Sequence, residues 1–261
     1  MPSPKPITVH GKPIAGGKHP VICTPLVGKD ADAVLAEVAA VLPKAPDVIE
    51  WRVDFFSAIG DTAQVIATAE AIRGRAGGIP VIFTCRSVRE GGQALPIDEA
   101  AVVRLLEAIC QARAVELVDY EMGNPAEHVQ RVREAARASA VPLVLSYHNF
   151  KSTPDEATLV ARFREAQDKG GDVAKVAVMP QSLRDVLTLL SATLAAHETL
   201  DIPLLSMSMG PFGSLTRMIG WAFGSTLTFA VGQSSSAPGQ VPIDDLRTVL
   251  AIAQRAFGAQ R

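Results

Sequence analysis

Along the chain, short runs in which almost every position is apolar alternate with longer stretches in which polar residues recur every three or four positions. The short runs are VICTPLV (21–27), VIEWRVDF (48–55), PVIFTCR (80–86), VELVDYE (115–121), PLVLSYH (142–148), VAKVAVM (173–179), PLLSMSM (203–209) and LTFAVG (227–232). Near-continuous apolar character over so few residues predicts parallel strands covered on both faces. Between them lie DADAVLAEVAAVL, DTAQVIATAEAIRG, DEAAVVRLLEAICQA, PAEHVQRVREAARA, PDEATLVARFREAQDK, SLRDVLTLLSATLAAH, the shorter SLTRMIGWAF, and IDDLRTVLAIAQRAF. Their periodicity predicts helices with one exposed face. Thr153, Pro154 and Glu156 have the spacing of a capping box with proline at the first helical position.

Eight strands, each followed by a helix, predict an α/β fold of the (β/α)8 TIM-barrel type. The alternative is an open, doubly wound sheet, which would normally carry a glycine fingerprint after an early strand. VGKDADA is no such fingerprint, and no GxxxxGK[ST] occurs anywhere. ITVHGKPIAGG near the start is expected to form a short hairpin closing the bottom of the barrel. No linker interrupts the pattern, so residues 1–261 are expected to be a single barrel domain, with 1–19 as an N-terminal extension or closing hairpin.

Composition narrows the function. The chain is 48% hydrophobic and 20% charged with a formal net charge of −2, which excludes a disordered chain. It carries no electrostatic footprint for nucleic acid or an anionic membrane, but leaves room for a local positive pocket that takes a small anion. The first twenty residues lack the apolar core of a signal peptide and no 18-residue apolar segment exists, so a cytoplasmic protein is expected. Cys23, Cys85 and Cys110 are odd in number, widely spaced and outside any CxxC; they read as reduced packing residues. Neither a metal nor a cofactor is expected.

In a barrel the C-terminal strand ends build the active site, so polar residues there carry the chemistry. Glu50, Arg52 and Asp54 share one face of the second run, and Arg86 ends the third, with Glu90 in the loop beyond. Asp119 and Glu121 belong to the fourth, His148 ends the fifth, Lys175 lies within the sixth, and Met207 and Met209 within the seventh. The eighth runs into GQSSSAPGQ, a polar loop suited to a lid. Taken singly, each has an ordinary explanation: Glu50–Arg52 as a structural ion pair, His148 as a hydrogen-bonding core residue, Arg217 as a surface residue in the first turns of its helix. Lys175 by itself could simply snorkel. Together they converge on one end of an apolar barrel, where unpaired burial would cost several kcal/mol each, and a polar ligand cavity accounts for them better. Within it, Val173 and Ala177 are expected to keep water from Lys175. A neutral amine there would attack a ketone or aldehyde to form a Schiff base, with His148 moving protons.

The blocks EWRVDFF (50–56), TCRSVREGG (84–92), SYHNF (146–150), DVAKVAVMP (172–180), SMSMGPFGSLTR (206–217) and SSAPGQ (235–240) resemble the type I 3-dehydroquinate dehydratases, the lysine-dependent class of the shikimate pathway. The resemblance implies a cofactor-independent carbon–oxygen lyase that dehydrates 3-dehydroquinate to 3-dehydroshikimate. It implies Lys175 as the Schiff-base lysine, His148 as general acid/base and Glu90 as the carboxylate orienting it. Glu50, Arg52 and Arg86 would face the ring hydroxyls; Arg217, Ser236 and Gln240 would receive the carboxylate; Met207 would pack on the ring. The implied partner is a small anionic hydroxy-keto acid, and the implied assembly a homodimer. The rival readings are another imine-forming barrel such as a class I aldolase, or an inactive barrel that binds a quinate-like metabolite. An aldolase would want a phosphate nest that the last loops lack, and an inactive barrel would want loss of Lys175 or His148, both of which are present.

Overall fold

The computed structural model describes residues 6–17 and 20–258, so residues 1–5, 18 and 19 of the expected N-terminal extension lie outside the described residues. Eight parallel strands form the interior: β3 (Val21–Leu26), β4 (Val48–Arg52), β5 (Val81–Thr84), β6 (Leu117–Glu121), β7 (Leu143–Asn149), β8 (Val173–Val178), β9 (Leu204–Ser208) and β10 (Leu227–Val231). Each pairs with the next from β3 to β9, and β10 pairs with β3 through Leu227↔Val21 to Phe229↔Cys23. A single bridge, Leu204↔Ser225, joins the remaining edges and closes the barrel. The helices α1 (Ala31–Val41), α2 (Thr62–Arg75), α3 (Glu99–Ala112), α4 (Ala126–Ala138), α5 (Glu156–Asp168), α6 (Leu183–Thr199), α7 (Gly210–Ile219) and α8 (Ile243–Gly258) follow the strands in turn. The expected (β/α)8 fold is therefore present.

Strand alternation sorts the residues into two cores. Outward positions such as Trp51, Phe83, Val118, Tyr120, Val176 and Val178 pack with the helices. Trp51 meets Phe56 and Phe83 edge-on at 5.4 and 5.6 Å between ring centres. Inward positions form layers. The bottom layer, with Val48, Ile82, Leu117, Val144, Val173, Leu205 and Leu227, is wholly apolar. Two residues further up each strand, the interior carries Glu50, Thr84, Asp119, Ser146 and Lys175, all buried. The expected hairpin is β1 (Ile7–Val9) paired antiparallel with β2 (Lys12–Ala15), and its Ile14 and Ala15 pack on the bottom layer. The barrel is thus plugged with hydrocarbon below and opens only where the charges are.

Several local expectations are corrected. The second run leaves the strand at Arg52 and enters a 3-10 turn over Val53–Phe55, so Asp54 sits on that turn and not on the strand face. The fused Gly210-Pro211 start of α7 lies four residues before the expected SLTRMIGWAF, which places Arg217 in the last turn, buried, and not on the surface. A two-residue strand, β11 (Val241–Pro242), pairs with β10 and had no signal of its own. The Thr153 capping box does not form. Asp155 is the N-cap of α5, its carboxylate accepting from the Thr158 N–H at 2.8 Å, while the Thr153 hydroxyl has no partner among the described residues. A carboxylate accepts that bond with its charge on the positive end of the helix, an advantage a hydroxyl lacks. The capping box that does form is Ser182–Asp185 on α6.

Replacing Asp155 with Ala should therefore lower the urea midpoint measurably, whereas Thr153→Ala should leave it nearly unchanged. The reverse order would restore the Thr153 cap.

Candidate active site

The polar end of the barrel holds a cleft lined by Glu50, Arg52, Arg86, Glu90, His148, Lys175, Met207, Ser236 and Gln240, together with Thr84, Met209 and Phe229. Arg217 does not line it; it lies behind the lid. A roomier groove lies at the opposite end, between the hairpin and the bottom loops; its lining is mostly apolar, with Lys12 and Asp47 as the charged exceptions, and Asp47 accepts from the Ile22 N–H at 2.9 Å. The chemistry belongs to the smaller cleft.

At its floor the Lys175 amine meets Asp119 Oδ2 at 2.8 Å and Glu50 Oε1 at 3.6 Å, with the Phe229 ring centre 5.0 Å away. This corrects the expectation that apolar company defines the lysine. Val173 and Ala177 do flank it on the strand, but its nearest polar neighbours come from β6 and β4. Glu50 and Arg52 do not pair with each other either. Glu50 accepts from the Thr84 hydroxyl at 2.9 Å, while Arg52 makes a two-bonded fork on Asp54 at 2.7 and 2.8 Å. Asp54 also accepts from the backbone N–H of Gln93, so it holds the loop that carries Glu90 as well as the arginine.

Arg86 ties the floor to the mouth. Its Nη2 donates to Asp119 Oδ1 at 2.7 Å, and its Nη1 donates to Ser146 Oγ at 2.9 Å and Glu121 Oε1 at 3.3 Å. Glu90 Oε2 lies 3.7 Å from the same Nη1. Burial alone would raise Asp119, but Arg86 and Lys175 outweigh it and hold the carboxyl well below the usual range. Burial likewise disfavours the Arg86 cation, yet Asp119, Glu121 and Glu90 reverse that and push it up.

His148 Nδ1 lies 2.7 Å from Glu90 Oε2 at the end of β7. Burial, and then the cations Arg86 and Lys175, push the imidazole well below its ordinary value. Burial raises Glu90 to about 8 against the pull of Arg86. Below that value the pair is uncharged, with the carboxylic acid donating to Nδ1 and the remaining ring proton on Nε2. Above it the carboxylate accepts from Nδ1–H and Nε2 is free to act as a base. Gly91 follows at φ +84, and a Cβ there would lie 2.2 Å from the Phe150 ring, so glycine lets the Glu90 turn close over that ring.

The loop after β10 covers the cleft. Ser236 O accepts from Arg52 at 3.5 Å and Pro238 O accepts from Arg217 at 3.2 Å. Gln240 folds back on Ser236, its amide donating to the serine hydroxyl at 3.3 Å. Gly239, at φ +79, seats so closely that a Cβ would lie 2.2 Å from Gly210 O. Arg217 Nε makes no hydrogen bond among the described residues, and burial lowers the guanidinium to about 10.

Every expected side chain except Arg217 thus meets at one cleft, and Arg217 reaches its edge through the lid. What the strand pattern did not single out is Asp119, whose contact with Lys175 spans 56 residues of sequence. Its signal was a charge on the inward face of a buried strand, two residues from Glu121, but no spacing rule names a partner across a barrel. Asp54, whose individual role the chain did not reveal, is the carboxylate that pairs with Arg52 among the described residues. Among the described residues no group of three or more His, Cys, Asp or Glu could hold a metal ion, and the three cysteines are buried and free.

The family model for type I 3-dehydroquinase matches residues 22–256. The 3-dehydroquinate dehydratase of Albidiferax ferrireducens is 58% identical over 258 residues, covering 99% of this chain and 98% of the relative. The crystal structure of 3-dehydroquinate dehydratase from Geobacillus kaustophilus superposes with a TM-score of 0.95 at 53% identity, covering 97% of this chain and 98% of that one. That of the type I enzyme from Clostridium difficile, with covalently modified comenic acid, does so with 0.92 at 34% identity over 97% and 99%.

The pH behaviour of the pair is checked by following the His148 ring resonances in NMR. No imidazolium midpoint near about 6.5 is expected, and an inflection near about 8 should report the loss of the Glu90 proton. An ordinary midpoint between about 6 and 7 would contradict this description.

Proposed function

The chain belongs to the type I 3-dehydroquinase family, and from that premise we propose what each side chain at the barrel mouth does. The reaction is the dehydration of 3-dehydroquinate to 3-dehydroshikimate through a lysine Schiff base. The observation that carries the assignment of roles is the placement of one buried amine, Lys175, below one histidine–carboxylate pair in the same cleft.

Lys175 attacks the C3 ketone. A C–N bond forms, the ketone oxygen departs as water, and an iminium remains. His148 Nε2, in its base form, takes the C2 proton. The C–H electron pair becomes the C2=C3 bond and the former C=N pair rests on nitrogen. The imidazolium, steadied by Glu90, then protonates the C1 hydroxyl, which leaves as water while the nitrogen pair returns to re-form C=N with a new C1=C2 bond. Hydrolysis releases the conjugated enone and the amine. Pushing Glu90 up and His148 down suits one pair to both steps, because the acid and base forms interconvert close to neutral pH.

Recognition follows from charge. Arg52 and Glu50 face the ring hydroxyls. Arg217, Ser236 and Gln240 receive the carboxylate, which displaces the Pro238 carbonyl from Arg217 as the lid adjusts. Met207 supplies the apolar wall. Three of the five N–H groups of Arg86 are committed to Asp119, Ser146 and Glu121, so its main part is to hold the charged floor. The enzyme works in the cytoplasm; no helix among the described residues is long and apolar enough to cross a membrane.

The assembly is a homodimer through the outer faces of α6 and α7. Arg184, Leu187, Ser191, Leu194 and Glu198 form an exposed seam at alternating spacings of three and four. Phe212, Leu215 and Ile219 form an exposed stripe on the neighbouring helix. Antiparallel pairing of two α6 helices about Ser191 would bring each Arg184 to the other copy's Glu198.

Two measurements check these roles. With 3-dehydroquinate, purified enzyme should generate enone absorbance, and borohydride added during turnover should leave a ligand-sized mass on the peptide containing Lys175. Turnover with the mass on another lysine would refute the nucleophile. In sedimentation, Arg184→Glu should weaken a dimer and Arg184→Glu with Glu198→Arg should restore it; a monomeric parent, or a dimer indifferent to both, would remove α6 from the interface.

A further inference from the structure

We propose that Asp119 is itself a catalytic residue: the fixed counter-charge that keeps the reacting nitrogen cationic, first as ammonium and then as the iminium of the substrate adduct. The proposal rests on the reading of Lys175 as the imine-forming residue and extends it to the group that sets the imine's charge.

The two oxygens of Asp119 are divided between two tasks. Oδ1 accepts from Arg86 Nη2 and from Ser146 Oγ, both at 2.7 Å, and the same arginine donates to that serine at 2.9 Å. These three bonds close a triangle that fixes the carboxylate on β6 against β5 and β7. Oδ2 is left to Lys175 Nζ at 2.8 Å, with no other donor among the described residues. Glu50 is a weaker candidate for the same task, standing at 3.6 Å with its nearer oxygen already accepting from Thr84. The remaining near neighbour is the face of Phe229, 5.0 Å away, which also favours a cation. The whole immediate surroundings of the nitrogen are therefore complementary to positive charge.

That complementarity decides whether the adduct can act as an electron sink. On condensation the nitrogen forms its bond to C3, the ketone oxygen leaves as water, and one N–H remains. That N–H is the donor Asp119 already binds. A neutral imine accepts the C2–H electron pair poorly, whereas an iminium accepts it by becoming a neutral enamine. When the C1–O bond breaks, the nitrogen lone pair re-forms C=N and the positive charge returns to the same atom. Asp119 stays an anion throughout, because Arg86 and Lys175 hold it far below the range in which it could take the proton. It is therefore a source of field and not a base, in a site where burial strengthens that field.

The test reads the C=N stretch of the adduct formed by the wild-type enzyme with 3-dehydroshikimate, by Raman difference spectroscopy in H2O and D2O. A band that moves to lower frequency in D2O at pH 8 shows a protonated iminium and supports the proposal. A band that does not move overturns it, while the lysine-imine reading survives. The absence of any C=N band would sink that reading, and the proposal with it. Asp119→Asn should lose the D2O sensitivity at a lower pH than wild type and lose about 100-fold in kcat with a smaller change in KM. Glu50→Gln should keep the sensitivity. If Glu50→Gln abolishes it and Asp119→Asn does not, the counter-charge is Glu50. Should Asp119→Asn fail to fold, Glu50→Gln decides: retained D2O sensitivity leaves the counter-charge with Asp119, and lost sensitivity assigns it to Glu50 and overturns the proposal.

Discussion

A carboxylate shared between a guanidinium and an ammonium, in the middle of an otherwise apolar barrel, is the interaction on which the rest of this structure depends. Asp119 receives Arg86 on one oxygen and Lys175 on the other. Without it, two cations would face each other across a dry interior, at a cost of several kcal/mol for each unpaired charge. With it, Arg86 reaches upward to Glu121 and Glu90, and Glu90 in turn orients His148. Lys175 on the floor and the His148–Glu90 pair at the mouth are thus two ends of one chain of hydrogen bonds and ion contacts. Such a network satisfies its members or fails as a unit; most of its members stand on the strands or just beyond their ends, with Glu90 on the 3-10 turn after β5.

The layering of the barrel explains why this network can exist at all. Below it lie Val48, Ile82, Leu117, Val144, Val173, Leu205 and Leu227, sealed by Ile14 and Ala15 of the hairpin. Water has no route to the charges from beneath, so the field at Lys175 is set by fixed groups. Above it, Arg52 and Arg217 make their contacts with main-chain carbonyls of the covering loop, at Ser236 and Pro238. The cations proposed to face the substrate thus also hold the covering loop, so in the proposed reading substrate entry and loop movement would act through the same guanidinium groups.

The barrel was readable from the chain because strands covered on both faces leave continuous apolar runs, and a parallel sheet must place helices between them. The candidate cleft was readable because charges on such strands have nowhere else to go. What escaped was pairing. Strand periodicity gives the face on which Lys175, Asp119, Glu50 and Arg52 lie, but register around a closed sheet decides who meets whom. It joined Arg52 to Asp54 and Lys175 to Asp119, and left Glu50 and Arg52 apart. Local competition misled elsewhere: at α5 an aspartate nearer the helix outcompeted the expected threonine cap, and at α7 the helix starts at Gly210, four residues before the expected SLTRMIGWAF. The individual role of Asp119 could not be read because a carboxylate's role depends on the atom opposite it, which lies 56 positions away.

The most direct measurement is a crystal structure of the adduct left by borohydride reduction during turnover. Continuous density should run from Lys175 Nζ into a six-membered ring, with Asp119 Oδ2 still within hydrogen-bond distance of that nitrogen and His148 facing the neighbouring ring carbons. Density on any other side chain, or a Lys175 adduct whose nitrogen has swung away from Asp119, would contradict the account.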